Sequence, residues 1–223
     1  MTLHGSTTLV IDSATEACSV ALIQNGNCIA GDFRVLGRGH AELLVPMISA
    51  LPEKGRAAII AVALGPGSFT GVRVGLAAAR ALALAWGAEL VGYPTLALIA
   101  AQARERWGLV PVTVVTTGGH GEWFVQHFGA DGLPLGPLGS RSPEQAAGDC
   151  TGADHVAGTQ AEALVAQRGR GTALSILPDA RNFTLLPASA VGLDTAPLYG
   201  RAPDARLPGE ARSGLPKPAV AQA

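Results

Sequence analysis

The apolar positions of the chain change period several times, and each change marks an element. Residues 8–11 form a short apolar run that stops at Asp12-Ser13 and predicts a buried strand. Residues 17–23 predict a second strand. Asn25-Gly26 follows, a pair that accepts positive φ and closes hairpins, so residues 28–35 predict a third strand antiparallel to the second. Leu43, Leu44, Met47, Ile48 and Leu51 then recur at helical spacing. They predict a helix over 40–51, kinked or started late by Pro46. Residues 58–64 are apolar without a break, the pattern of a strand covered on both faces. A glycine-rich turn at 65–71 leads into good helix formers over 72–86, then a strand at 89–91 and a helix capped by Thr95 that runs to Trp107.

Three strands, then helix, strand, helix, strand, helix: this order predicts an antiparallel meander extended by crossover units into one mixed sheet. It is not the alternation of a Rossmann domain. Past Gly108 the pattern weakens. Strands are expected at 112–115 and 122–128 around a turn at Gly118-Gly119, with another turn at Asp131-Gly132 and short helices near 143–147 and 160–167. The expected organisation is a first domain over 1–107, a smaller α/β domain over 108–190, and a closing segment over 191–223. Pro197, Pro203, Pro208, Pro216 and Pro218 predict that this last part is extended and ends in disorder.

Charge narrows the function. Lys and Arg number 16 against 17 Asp and Glu, a formal net charge of −1, with no basic block. Such a chain is not expected to hold nucleic acid by itself. Only 15% of residues are charged and 48% are apolar, which predicts a folded chain with a sparsely charged surface and favours a covered face. Cys18, Cys28 and Cys150 show no CxxC spacing, as expected for a reducing cytosol. Residues 1–6 lack a basic stretch followed by an apolar run, and the apolar runs stop short of the roughly 18–20 residues of a membrane span. A cytoplasmic chain without membrane contact is the expectation.

The segment Gly65-Pro66-Gly67-Ser68-Phe69-Thr70-Gly71 is the most informative. Between a buried strand and a helix it reads either as an anion site, where free N–H groups and the helix dipole favour negative charge, or as a tight turn. No GK[ST] follows, so it is not a P-loop, and Gly65, Gly67 and Gly71 are spaced one residue too long for the dinucleotide fingerprint. Arg73 sits in the first helical turn, which disfavours a cation; a nearby anion or carboxylate would relieve it, and the alternative is a solvated side chain. Asp12, Ser13 and Thr15 read equally as phosphate- or metal-facing groups or as local turn chemistry. In the helix over 72–86, small residues Gly71, Gly75, Ala79 and Ala83 form one row while Val72, Leu76, Leu82 and Trp86 make the other faces apolar. Such a helix is central or covered by a partner. No histidines show HxxxH or HExxH spacing, which suggests no metal site, and His40, beside Glu42 at a helix start, is expected to face solvent. G-x-S-x-G is missed by a residue, and no catalytic set emerges.

Residues 9–22 (LVIDSATEACSVAL), 40–46 (HAELLVP), 65–75 (GPGSFTGVRVG) and 197–201 (PLYGR) together resemble the TsaB (YeaZ) family. The resemblance implies an α/β, actin-like ATPase (ASKHA, ribonuclease H-like) two-domain fold with mixed sheets. It implies an accessory subunit of bacterial tRNA threonylcarbamoyladenosine synthesis that binds the catalytic paralogue TsaD, with the ATPase TsaE joining the pair; tRNA is reached only through the complex. The helices over 40–51 and 72–86 would carry the partner face through His40, Leu43, Leu44, Met47, Ile48, Val72, Gly75, Leu76, Ala79 and Ala83. A charge at Leu44 or Ala79 is then expected to break pairing without unfolding the chain, and the same surface to self-pair into a homodimer when the chain is alone. Asp12, Thr15, Gly65, Gly67, Ser68, Phe69, Thr70, Gly71 and Arg73 would form a degenerate nucleotide loop. The Asp-x-Gly-Thr loop of the fold has Ser13-Ala14 in its middle, and a family Asp-Ala-Arg stretch is replaced by Thr117-Gly118-Gly119-His120. The chain alone is therefore expected to bind no cofactor tightly, with ATP or ADP admitted at the complex interface, and to hold no catalytic residues. The rival reading is an ATP-dependent phospho- or carbamoyl-transferase of the same fold, with Asp12 and residues 65–71 holding phosphates.

Overall fold

The computed structural model describes residues 7–150, 152 and 154–200. The first apolar run becomes β1 (Thr7–Asp12), paired antiparallel with β2 (Ala17–Gln24), Thr7 opposite Gln24 and Asp12 opposite Ser19. Asn25 and Gly26 both take positive φ, as the hairpin requires, and return the chain into β3 (Asn27–Val35). Two parallel strands, β4 (Ile59–Ala63) and β5 (Glu89–Tyr93), complete a sheet of order β3-β2-β1-β4-β5. Helix α1 (His40–Ser49) connects β3 to β4 and packs on β2; α2 (Phe69–Trp86) connects β4 to β5 and packs on β4. Burial is complete along β4 because helices cover one face and the 3-10 turn Ala180–Leu185 closes over the neighbouring strands on the other.

Helix α3 (Thr95–Trp107) then leads into a second sheet. Its strands are β6 (Val112–Gly119), β7 (Glu122–Phe128), β8 (Gly139–Arg141), β9 (His155–Ala157) and β10 (Thr172–Leu174), in the order β8-β7-β6-β9-β10. β6, β7 and β8 pair antiparallel, while β9 and β10 continue from β6 in parallel. Helices α4 (Pro143–Asp149) and α5 (Ala161–Arg168) fill the same connections that α1 and α2 fill in the first sheet. The topology is therefore doubled: two ribonuclease H-like halves, the second built from shorter pieces, which is the actin-like arrangement. Between them lies α3, whose residues from Thr95 to Ala103 are all buried, and one apolar core runs from Leu9 through Ile99 to Phe128.

Several sequence expectations change. The helix apolar and buried on every side is α3, not α2. Helix α1 starts at His40 and runs through Pro46, with Gly39 in the left-handed conformation before it, and Leu51 falls beyond its end. Thr95 does not cap α3: Pro94 holds the cap position, the Thr95 N–H donates to the Gly65 carbonyl at 2.8 Å, and its buried hydroxyl has no partner among the described residues. Ser68 starts α2 three residues earlier than expected. The resulting 18-residue helix is long and apolar enough to cross a membrane by length and composition alone, although the apolar runs read as too short. A third of it is buried on the protein's own sheet. Strands β8, β9 and β10 were not anticipated, because three residues are too short to display a period. His4, Arg201 and the expected disorder of the tail beyond 200 lie outside the described residues.

Candidate nucleotide cleft and partner surface

The two segments read as phosphate-binding candidates do meet, but they meet each other. The turn after β1 sits against the 65–71 loop: the Ser68 N–H donates to the Ala14 carbonyl at 2.7 Å, and Ser13 Oγ donates to the Gly71 carbonyl at 2.9 Å. A Cβ on Gly67 would fall on the Ala14 carbonyl oxygen, and one on Gly71 on the Ser13 carbonyl oxygen, far inside contact distance. These glycines exist for backbone approach, not for an open cradle. Two carbonyl oxygens point at the start of α2, where an anion would need N–H groups, and Ser68 Oγ caps the helix by accepting from the Gly71 N–H at 3.3 Å. Gly65, at φ 92°, lies under the closing segment, with the Leu198 N–H donating to the Leu64 carbonyl at 2.8 Å.

Asp12 is buried at the end of β1. Its Oδ1 accepts from the Ala14 N–H at 3.0 Å, and the Tyr93 hydroxyl lies 3.3 Å from Oδ2 and 3.2 Å from the Ile11 carbonyl. Burial pushes the Asp12 carboxyl up to about 7, aided by Asp179 and opposed by the two hydrogen bonds. The same burial and the Asp12 charge push the Tyr93 hydroxyl well up. Thr15 is turned inward too: its Oγ1 accepts from the Ala17 N–H at 3.3 Å and its carbonyl lies 2.9 Å from His40 Nε2. His40 thus faces the core, not solvent, and ties α1 to the β1–β2 turn.

The misplaced cation has a different explanation from a bound anion. The Arg73 guanidinium stacks 3.4 Å from the Phe69 ring centroid, and Nε and Nη2 both lie 3.4 Å from the Tyr199 hydroxyl. Phe69 and Tyr199 are 6.0 Å apart, so three residues from two parts of the resemblance, 65–75 and 197–201, share one exposed cluster. Thr70, also exposed, makes no part of it. In the second half Thr117 is engaged by neighbours, its N–H donating to Thr159 Oγ1 at 3.1 Å and its Oγ1 accepting from Gln160 at 2.9 Å, and Glu122 accepts from Ser140 at 2.6 Å. Among the described residues no group of three or more His, Cys, Asp or Glu is placed to hold a metal ion.

The partner face needs correction. Leu44, Met47, Ile48, Val72, Gly75, Leu76 and Ala79 are all buried against the protein's own sheet, because the apolar stripe of a surface helix seeks its own core first. Leu43 and Ala83 are half-buried. What faces outward on α2 is Phe69, Ala77, Ala81 and Leu84, Leu84 being 88% exposed, with the exposed Arg73 and Arg80 among them; on α1 it is Val45. Tyr93, Asp179 and Tyr199 were not singled out from the sequence; Arg73 and Tyr199 are 126 residues apart, and only the PLYGR motif hints at the pairing.

The family model for TsaD, tRNA N6-adenosine threonylcarbamoyltransferase, matches residues 34–201. YeaZ from Pseudomonas aeruginosa superposes with a TM-score of 0.73 at 29% identity, over 87% of this chain and 99% of that one. A second Pseudomonas aeruginosa structure, of a protein described as similar to peptidase YeaZ, is 32% identical over 79% of this chain and 88% of its own, with a TM-score of 0.68. The chain belongs to the TsaB (YeaZ) family. The Escherichia coli tRNA threonylcarbamoyladenosine biosynthesis protein TsaB is 34% identical over 128 residues, 55% of each chain. The matched region spans about half the length of such curated relatives. TsaB-type sequence thus sits on the doubled topology described above, and the broader family model carries the name of the transferase.

Proposed function

We propose that the chain is a noncatalytic subunit in the synthesis of tRNA threonylcarbamoyladenosine, acting by pairing with the catalytic paralogue TsaD and, through that pair, with TsaE. The observation that carries the reading is the exposed apolar area on the outer faces of α1 and α2. A helix with Phe69, Ala77, Ala81 and Leu84 exposed around Arg73 and Arg80, with Val45 exposed on α1, leaves apolar area in water that a second protein would remove. The closure of the 65–71 loop onto the Ser13 and Ala14 carbonyls supports the noncatalytic part, since it sets backbone carbonyl oxygens, which repel a phosphate, against the loop. Any ATP or ADP would then be held with the paralogue at the shared interface, and tRNA would be reached only through the complex.

Light scattering of the chain mixed with TsaD from the same organism tests this. A one-to-one heterodimer is expected, and Leu84→Glu is expected to abolish it while the variant keeps its circular dichroism spectrum. A heterodimer indifferent to Leu84→Glu would place the partner elsewhere, and tight ATP binding by the isolated chain in a calorimeter would favour the transferase reading instead.

A further inference from the structure

The face of the first sheet turned away from α1 and α2 is covered unevenly. Thr8, Val10 and Asp12 reach it from β1, since successive side chains of a strand point to opposite faces. At the end that carries Asp12 the cover is tight. The Ala180 N–H donates to Ser19 Oγ at 2.9 Å, and Phe183 meets Tyr93 edge to face at 5.4 Å. At the other end Thr8 is paired with both Ile23 and Ile59. Above it the chain breaks into two short 3-10 turns, Ala180–Leu185 and Ala188–Ala190, with Leu186 and Pro187 between them. The second turn brings only small side chains, and neither is long enough to lay a continuous ridge on the sheet. A cavity of about 220 Å³ remains.

Its lining states what it can hold. Ile23, Ile59 and Val91 from the sheet, with Phe183 and Leu186 from the cover, make it apolar. No charged side chain lines it among the described residues, so a charged ligand would lose its hydration without a partner. Thr184, at the exposed rim, and Thr8 are its polar residues. Thr8 is 2% exposed, and no hydrogen bond among the described residues engages its hydroxyl. An apolar cavity of about 150 Å³ already admits benzene. The larger space here suits one substituted ring or two fused rings, and the Thr8 hydroxyl can give or take one hydrogen bond from it.

We propose that this cavity is a binding site for a neutral aromatic molecule with one hydrogen-bonding group, of the phenol or indole class. The ring lies between the sheet and the 183–186 cover, and its polar atom meets Thr8. The site is on the opposite face of the sheet from α1 and α2, so it does not depend on any partner held there. Methyl NMR of the full chain tests it, with phenol, indole, toluene and benzoate as probes. Phenol, indole and toluene are expected to shift the Ile23, Ile59 and Val91 methyl signals, saturating at millimolar ligand, and benzoate is expected to leave them in place. Thr8→Val keeps the shape and removes the hydroxyl. It is expected to weaken phenol about fivefold while toluene is unchanged. Shifts that do not saturate or that spare these three residues, benzoate binding as tightly as phenol, or phenol affinity unmoved by Thr8→Val would each overturn the proposal. Should Thr8→Val fail to fold, the methyl shifts and the benzoate comparison on the unaltered chain decide alone.

Discussion

Asp12 shows how one residue can be legible as chemistry and yet be structural. A carboxylate followed by small hydroxyl residues at a strand end suits a phosphate or an Asx turn equally well, and only the fold reveals that its oxygens are taken by the Ala14 N–H and Tyr93. Its neutral form is favoured in the folded state, from 3.8 up to about 7, so the native chain holds the proton more tightly than the unfolded one. The stability that Asp12 supplies is therefore full below about pH 4 and is lost as pH rises to about 7, by on the order of 4 kcal/mol at most. Asp12→Asn keeps the acceptor for Ala14 and cannot ionise. Its melting temperature is expected to exceed that of the wild type above pH 7 and to converge with it near pH 4; parallel melting curves across that range would contradict the assignment. Gly67 is a second case. The sequence marks it as special, but for anion binding, whereas its role is to let the Ala14 carbonyl approach. Gly67→Ala is expected to cost more than about 2 kcal/mol in a denaturant titration, because backbone rather than a flexible side chain must move.

At the scale of elements, helical periodicity located α1 and α2 within a few residues but did not say which face meets what. Leu44 and Met47 form the regular stripe and are 1% exposed, while the outward face carries Val45, Phe69 and Leu84 with Ala77 and Ala81, interrupted by Arg73 and Arg80. Periodicity reports the core-facing stripe because burial selects it, so an outward face of scattered apolar residues and arginines stays nearly silent. The two faces separate by experiment. Leu44→Glu buries an unpaired charge and is expected to destabilise by more than about 3 kcal/mol or to prevent folding. Leu84→Glu is expected to shift stability by no more than about 0.5 kcal/mol while removing the heterodimer. Thermal melts of the two variants, side by side, check the assignment of faces. Arg73 needed the closing segment to be understood: its stack on Phe69 is local, but its Tyr199 partner lies 126 residues away, beyond any spacing argument.

For the whole molecule, the first sheet was readable strand by strand, since its runs are five to nine residues long and bounded by turn signals such as Asn25-Gly26. The second half repeats the same topology with three strands of only three residues, too short to carry a pattern, so its kinship to the first emerges from pairing and not from sequence. The central claim is that this duplicated scaffold supports another protein's chemistry through its outer helices. A drop-out reconstitution tests it most directly: the cognate adenylate-forming enzyme, TsaD, TsaE, ATP, threonine, bicarbonate and tRNA, with the modified adenosine quantified with the chain, without it, and with Leu84→Glu in its place. Modification is expected to collapse without the chain and with Leu84→Glu, and to return with the wild type. Undiminished modification in its absence would contradict the account.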